Sequence, residues 1–231
     1  MAKKSLLNSV LAGLSVVMFL VALGMVFFYA PREATMGEVQ RIFYFHVATA
    51  WVGFFGFFIT FLGGAVYLAT NNRRWDILAF SSAEIGLVFI TMTLVTGMLW
   101  AKPAWGTYWT WEPRLTISAV QWLLYVAYIM LRGSVLSPER EARFAAVYGI
   151  AAFVTVPLSW FAIRWWRTIH PQIVSSEGMA LTAKMIYTLL FSLATFTLVY
   201  VTLLRQRIQL EKTRDQLAAL RLQHDQAAQN D

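Results

Sequence analysis

The stretch IFYFHVATAWVGFFGFFITFLGGAVYLA, residues 42–69, decides the fold class because it contains no Asp, Glu, Lys or Arg. It is longer than the roughly 20 residues that a helix needs to cross the hydrocarbon core of a bilayer. The whole chain of 231 residues is 58% hydrophobic and only 13% charged, whereas about a quarter of the residues in soluble domains are charged. The sequence therefore predicts a membrane protein.

Several apolar blocks of this kind predict an all-α fold, a polytopic membrane protein with six transmembrane helices. The blocks cover residues 7–30, 42–69, 77–100, 115–131, 143–163 and 179–204. The first block exceeds the roughly 7–15 residues of the apolar region of a signal peptide, so we expect an uncleaved helix. We predict a membrane domain over residues 1–204 and a polar, helical, cytoplasmic tail over residues 205–231.

The distribution of basic residues predicts the orientation. Cytoplasmic loops of membrane proteins carry an excess of Lys and Arg. A cytoplasmic N-terminus places more of the 19 Lys and Arg residues inside than outside, and the C-terminal tail supplies that excess. We therefore expect both termini in the cytoplasm. This topology also explains the formal net charge of +7, and because the basic residues form no continuous face, we expect no nucleic-acid partner.

His46 stands about one turn inside the outer end of the predicted second helix. The residues that follow it at helical spacing are all small: Thr49, Gly53, Gly56, Thr60 and Gly63. Such a stripe lets a neighbouring transmembrane helix approach closely. We therefore predict that His46 faces the interior of the bundle.

A second histidine, His170, lies in the loop between the fifth and sixth predicted helices. Pro171 follows it and favours an extended backbone at this position. With six spans, both histidines lie on the same side of the membrane as the loop after the third helix. That loop contains WGTYWTWEPRLT, residues 105–116, with three of the ten tryptophans. A belt of interfacial tryptophans does not explain their concentration beside an acid, an arginine and two histidines.

A planar, apolar ligand with a central metal and anionic edges would use all of these features, and haem is such a ligand. The absence of cysteine excludes thiolate metal sites and covalent haem attachment. We therefore predict a non-covalent, b-type haem in transit, with His46 and His170 as the metal ligands. An extended loop would align Trp105, Thr107, Trp109 and Trp111, whereas a helix would align Trp105, Trp109 and Glu112. Because Pro103 and Gly106 disfavour a regular helix, we expect an irregular loop along the outer surface.

The segment WGTYWTWEPRLT resembles the WWD motif of the haem-handling membrane proteins of cytochrome c maturation. The histidine that begins span two, the motif after span three and the histidine before span six are similar in layout to the CcmC family. The resemblance covers essentially the whole chain. It implies a haem delivery protein, not an enzyme, at the outer face of the bacterial cytoplasmic membrane. It also implies loading of the haem chaperone CcmE, with the ABC-type components CcmA and CcmB and the small CcmD as partners beside membrane lipid.

The candidate ligand-binding residues belong to the tryptophan-rich loop or are arginines on its side of the membrane, where they could pair with haem propionates. They are Trp105, Gly106, Trp109, Trp111, Glu112, Arg114, Arg41 and Arg167. The family motif has Asp where this chain has Glu112. This acid either caps the fourth helix ahead of Pro113 or contacts the haem or the chaperone.

Other function classes compete with haem delivery. A redox b-type cytochrome that passes electrons across the bilayer would normally need two haems and four intramembrane histidines, whereas this chain offers one outer pair. A passive permease subunit finds no support in a broken-helix repeat. Within the resemblance, the alternative is a CcsA-type haem protein of the other cytochrome c assembly route.

Overall fold

The computed structural model describes residues 2–133, 137–166, 169–170, 174–175, 178–179 and 181–230. These residues form α1 (Ala2–Gly24), α2 (Arg41–Thr70), α3 (Arg73–Trp105), α4 (Pro113–Leu131), α5 (Pro138–Phe153), α6 (Thr155–Trp165) and α7 (Ala183–Asn230). A π-helical turn, Met25–Tyr29, continues α1, and a 3-10 turn, Glu38–Gln40, precedes α2. Between α6 and α7, the two-residue strands β1 (Val174–Ser175) and β2 (Gly178–Met179) pair in antiparallel fashion.

Within these residues, six helical segments are long and apolar enough to cross a membrane. This confirms the prediction of an all-α, six-span fold. The fifth segment, Pro138–Trp165, combines α5 and α6. The two helices meet at Val154 because Pro157 has no N–H to donate to the carbonyl of Phe153.

The third helix ends five residues later than the sequence predicts, at Trp105 instead of residue 100. The expected irregular loop is present over residues 106–112, but it begins after Pro103 and Trp105, which still belong to α3. Pro103 stands in the last turn, where it removes a single backbone hydrogen bond and the rest of the long helix is unaffected. Gly106 then ends the helix with a left-handed backbone (φ +77°) and donates its N–H to the carbonyl of Lys102 at 3.0 Å.

The C-terminal tail continues the sixth span. No break separates the two, since α7 is a single helix from Ala183 to Asn230. Its first part packs beside α1, where Asn8 donates to Gln209 at 2.7 Å and Ser15 contacts Thr202 at 3.0 Å. The division of the chain at residue 205 stays a prediction.

The stripe of small residues on α2 packs against α3. A Cβ atom added to Gly53 would lie 2.5 Å from Ile90, and one added to Gly56 would lie 3.0 Å from the Cα of Gly86. Thr60 is also buried, and its hydroxyl group lies 3.2 Å from the carbonyl of Ala79. The predicted close approach of two helix backbones is therefore present, and it fixes the register between α2 and α3.

At the end of the bundle opposite His46, ion pairs join the helices. Asp76 of α3 is buried and binds the guanidinium groups of Arg73 and of Arg132, which follows α4. Glu84, an acid inside the third span, pairs with Arg207 of α7 at 2.6 Å. The pair compensates the charge of an acid that would be costly without a partner inside a membrane span.

We predict that Gly56→Leu destabilises the protein by about 1–3 kcal/mol, because the added side chain meets the backbone of α3. The midpoint of thermal unfolding in detergent measures this loss. Gly13→Leu is the matched control, since no atom lies within 4 Å of a Cβ at Gly13. Equal unfolding midpoints for the two variants would contradict the proposed packing.

Candidate functional site

His46 is the sixth residue of α2, and its imidazole ring is held by α3. Its Nδ1 atom lies 3.1 Å from the carbonyl oxygen of Thr93 and 3.2 Å from the hydroxyl group of Thr96. A carbonyl oxygen only accepts, so Nδ1 carries the proton and donates it to Thr93. The Nε2 atom of the neutral ring then has a free lone pair, which is the arrangement typical of metal-binding histidines.

Gly97 makes room for this ring. A Cβ atom at position 97 would lie 3.1 Å from Cε1 and 3.5 Å from Nδ1 of His46. The small residue therefore lets the imidazole lie against the backbone of α3, one turn beyond its hydrogen-bond partner Thr93. The ring is fixed by contacts on two sides.

His170 comes close to His46, although the two residues are far apart in sequence. The ring centres are 6.4 Å apart and the ring planes are inclined at 36°. An imidazole nitrogen lies about 2 Å from the metal it binds, so two rings on opposite sides of one metal have centres about 6 Å apart. The observed separation matches that spacing.

The two histidines border a cavity of about 230 Å³ between α2, α3, α4 and the adjoining loops. Trp105, Trp109 and Arg114 also line it. The cavity thus brings together five of the residues that the sequence suggested as a site. Most of its remaining lining is apolar and comes from the facing sides of α2, α3 and α4.

The tryptophan-rich loop has neither of the two regular geometries considered from the sequence. Trp105 is the last residue of α3 and packs edge-on against Trp100, with 5.3 Å between ring centres. Trp109 follows in irregular backbone and packs edge-on against Trp111 at 5.7 Å. Trp105 and Trp109 reach the cavity, whereas Trp111 is 77% exposed and is not part of the lining.

Glu112 occupies the N-cap position of α4, and Pro113 is the first helical residue. One carboxylate oxygen accepts a hydrogen bond from the N–H of Leu115 at 3.3 Å. A capping contact of this kind satisfies one of the four N–H groups that a helix start leaves without partners. Of the two roles considered for this acid, the structure shows the cap.

The three candidate arginines have different surroundings. Arg114 lines the cavity, and its guanidinium group contacts the carbonyl of Ser159 at 3.4 Å. Arg41 is not part of the lining, because its guanidinium group binds Glu38 and the carbonyl of Val26. Arg167 lies outside the described residues. Gly106 is not part of the cavity lining either. It ends α3 and begins the loop, and it contributes no side chain.

Sequence reasoning missed Thr93, Thr96, Gly97, Ser118 and Gln121. Ser118 and Gln121 follow Arg114 at spacings of four and seven residues, so the three share one face of α4, and all line the cavity. Polar residues at helical spacing in an apolar span were a usable signal. The contacts that hold His46 had no such signal, because they depend on the register between two helices.

The family model described as heme exporter protein C matches residues 1–223 of this chain. The chain belongs to the CcmC family. The heme exporter protein C of Bradyrhizobium diazoefficiens is 33% identical to it over 176 residues, which cover 75% of this chain and 67% of the relative. The protein of the same description from Haemophilus influenzae is 30% identical over 190 residues, 80% of this chain and 76% of the relative. That from Paracoccus denitrificans is 28% identical over 203 residues, covering 87% and 84%.

Membership in the CcmC family indicates the role of this chain. The chain is a multi-pass membrane protein with a role in haem handling during cytochrome c maturation. The family description, a heme exporter protein, indicates a transport or delivery component.

We predict that Glu112→Ala destabilises the protein by about 1 kcal/mol, because the N-cap contact to Leu115 is lost. Glu112→Asp should keep the unfolding midpoint of the wild type, since a shorter acid caps at least as well. Thermal unfolding in detergent measures both. A normal midpoint in Glu112→Ala together with lost haem would instead assign the acid to ligand or chaperone contact.

Proposed function

We propose that the chain binds haem at the outer face of the bacterial cytoplasmic membrane and delivers it to the haem chaperone CcmE. His46 and His170 are the axial ligands. The observation that carries this proposal is the 6.4 Å separation of the two ring centres across one cavity. It leaves room for a single metal ion between two imidazole nitrogens.

His46 serves as the fixed ligand. The hydrogen bond from Nδ1 to Thr93 orients the lone pair of Nε2. The packing of α2 against α3 holds the helix that carries it. Haem bound through this nitrogen is b-type, because a chain without cysteine offers no thiol for covalent attachment.

His170 serves as the exchangeable ligand. It belongs to the connection between α6 and α7, not to a helix of the bundle. A ligand on a connecting segment can leave the metal without displacement of a transmembrane helix. Its departure opens one coordination position for a residue of the chaperone, while His46 retains the haem.

The loop and the arginines complete the proposed site. Trp105 and Trp109 pack against the macrocycle and form the platform, and Arg114 pairs with a propionate. Trp111 stands exposed beside Trp109 and suits contact with the incoming chaperone. Arg41 and Arg167 remain candidates for propionate or chaperone contacts, and Gly106 and Glu112 shape the loop that carries the platform.

We also propose the orientation of the chain and its partners. Both termini lie in the cytoplasm, as the distribution of Lys and Arg favours. CcmA, CcmB and CcmD assemble with the chain, and the helical extension of α7 over residues 205–230 projects toward the cytoplasmic components.

Electron transfer across the bilayer is less consistent with the residues. The chain has three histidines, and His224 lies in the tail with an 86% exposed side chain. One pair of histidines can ligate one haem, whereas transmembrane electron transfer calls for a second haem near the other face. A single haem at one face suits delivery.

Absorption spectra of the purified protein test the proposal. We expect a six-coordinate haem spectrum for wild-type protein from haem-replete cells, loss of most haem in His46→Ala, and lowered retention with loss of the six-coordinate spectrum in His170→Ala. His224→Ala and Trp51→Phe should retain the wild-type spectrum, because neither residue borders the cavity. Colourless wild-type protein, or full haem retention in both cavity variants, would refute the assignment.

We further predict that Gly97→Val lowers haem retention several-fold, because its side chain would push the His46 ring away from Thr93. Gly24→Val is the matched control, since a Cβ at Gly24 meets no atom within 4 Å. The haem-to-protein absorbance ratio measures the effect. Wild-type retention in Gly97→Val would show that the position of the ring against α3 is not required.

A further inference from the structure

Gln121 of α4 is a polar residue for which the bundle supplies no partner among the described residues. Its side chain is fully buried and borders the cavity. Neither Oε1 nor Nε2 has a hydrogen-bond partner within the part of the chain that the structure describes. A buried amide in this state is costly, and native proteins satisfy nearly all such groups. The partner of Gln121 is therefore to be sought in the cavity.

The depth of Gln121 follows from contacts between α3 and α4. The indole N–H of Trp122 donates to the hydroxyl group of Thr91 at 2.9 Å, and because α3 and α4 run in opposite directions, Gln121 lies about level with Met92. His46 contacts Thr93 and Gly97, one to five residues further along α3. At 1.5 Å per residue, Gln121 lies about 2–8 Å deeper in the bundle than the residues that contact the His46 ring. That is the range in which the edge of a macrocycle centred on the histidines would lie.

Arg114 and Gln121 are the two polar groups that α4 offers to this edge. They are seven residues apart, or about two helical turns, on the same face. Ser118, between them, is already engaged, since its hydroxyl group lies 2.9 Å from the carbonyl of Arg114 and 3.2 Å from the hydroxyl of Ser159. The two propionic acid groups of haem project from neighbouring pyrrole rings on one edge. Two separated polar groups on one helix face suit two such acids.

Arg114 and Gln121 are each matched by a different protonation state of a propionic acid group. The guanidinium group of Arg114 pairs with an ionised carboxylate. A primary amide both donates and accepts, so Gln121 is matched by a neutral carboxylic acid, which also does both. Nε2–H donates to the carbonyl oxygen of the acid, and the O–H of the acid donates to Oε1. Both orphaned atoms of Gln121 are then satisfied, and no net charge enters the apolar part of the bundle.

We propose that the propionate edge of haem lies along α4, with one carboxylate on Arg114 and the other, protonated, on Gln121. This inference rests on the proposed haem-binding function. It gives the haem a defined orientation in the cavity and makes Gln121 a binding residue for the cargo.

Comparison of haem with its dimethyl ester tests this orientation. We expect wild-type protein to bind haem more tightly than haem dimethyl ester, which lacks the acid O–H and the carboxylate charge. Gln121→Leu should lower the ratio of the two affinities about tenfold, the effect of one hydrogen bond to a buried group. Thr195→Val is the matched control, because Thr195 is equally buried, has an unsatisfied hydroxyl group among the described residues and is not part of the cavity lining.

The two proposals fail in different ways. If Gln121→Leu weakens haem and its ester equally, or weakens neither, Gln121 does not bind a propionic acid and the inference is wrong, while histidine ligation stands. If the wild-type protein binds neither compound in a six-coordinate form, the proposed function itself is wrong.

Infrared spectroscopy of the wild-type protein provides a measurement that does not depend on a folded variant. Haem labelled with carbon-13 at both propionate carboxyl carbons should show one protonated carbonyl band and one ionised carboxylate band when bound. Two ionised carboxylate bands would overturn the proposed pairing with Gln121.

Discussion

The close packing of α2 against α3 is the constraint on which the site depends. Gly53 and Gly56 leave no space for a Cβ atom, so the two helix backbones meet in one register. That register sets the Thr93 carbonyl opposite Nδ1 of His46 and places Gly97 beside the ring. In a membrane, helices gain little from hydrophobic association, and close contact between small residues supplies the specificity instead. The tautomer of a functional histidine thus follows from glycines that lie several turns away.

The same contact explains why a cavity can persist beside it. The α2–α3 pair forms a rigid wall, and α4 is attached to α3 at two levels. Trp122 binds Thr91 next to the deep end of the cavity, and Arg132 binds Asp76 at the opposite end of the bundle. Between the Trp122 contact and the loop, α4 presents polar groups to the cavity rather than packing closely against α3. A space between helices that are tied elsewhere can take up a ligand without repacking of the bundle.

The sequence reveals features that depend on composition, periodicity or helix parity. Six apolar blocks predict six spans, and the small residues after His46 predict which face of α2 is buried. Because successive spans cross the membrane in opposite directions, the sequence places His170 on the same side of the membrane as His46. Only the tertiary structure shows that their ring centres are 6.4 Å apart. The irregular loop was predicted from Pro103 and Gly106, but the end of α3 was placed five residues too early because a proline in the last turn of a helix costs little. Gln121 was missed although its helical spacing from Arg114 and Ser118 within an apolar span was a usable signal.

Gln121 differs from most other polar residues of the spans because it is fully buried and its side chain has no hydrogen-bond partner among the described residues. The threonines of α2 and α3 return their hydroxyl hydrogens to a carbonyl one turn earlier, as Thr60 does to Gly56 and Thr93 to Phe89. A glutamine side chain with two opposite hydrogen-bonding groups has no equivalent local solution inside a helix, so it needs a partner from outside its own helix. Since Gln121 borders the same cavity as the histidines, a ligand that fills this cavity contacts both. Under the pairing proposed above, the cost of burying Gln121 in the empty bundle is relieved when the ligand is bound, and that relief contributes to the affinity for the ligand.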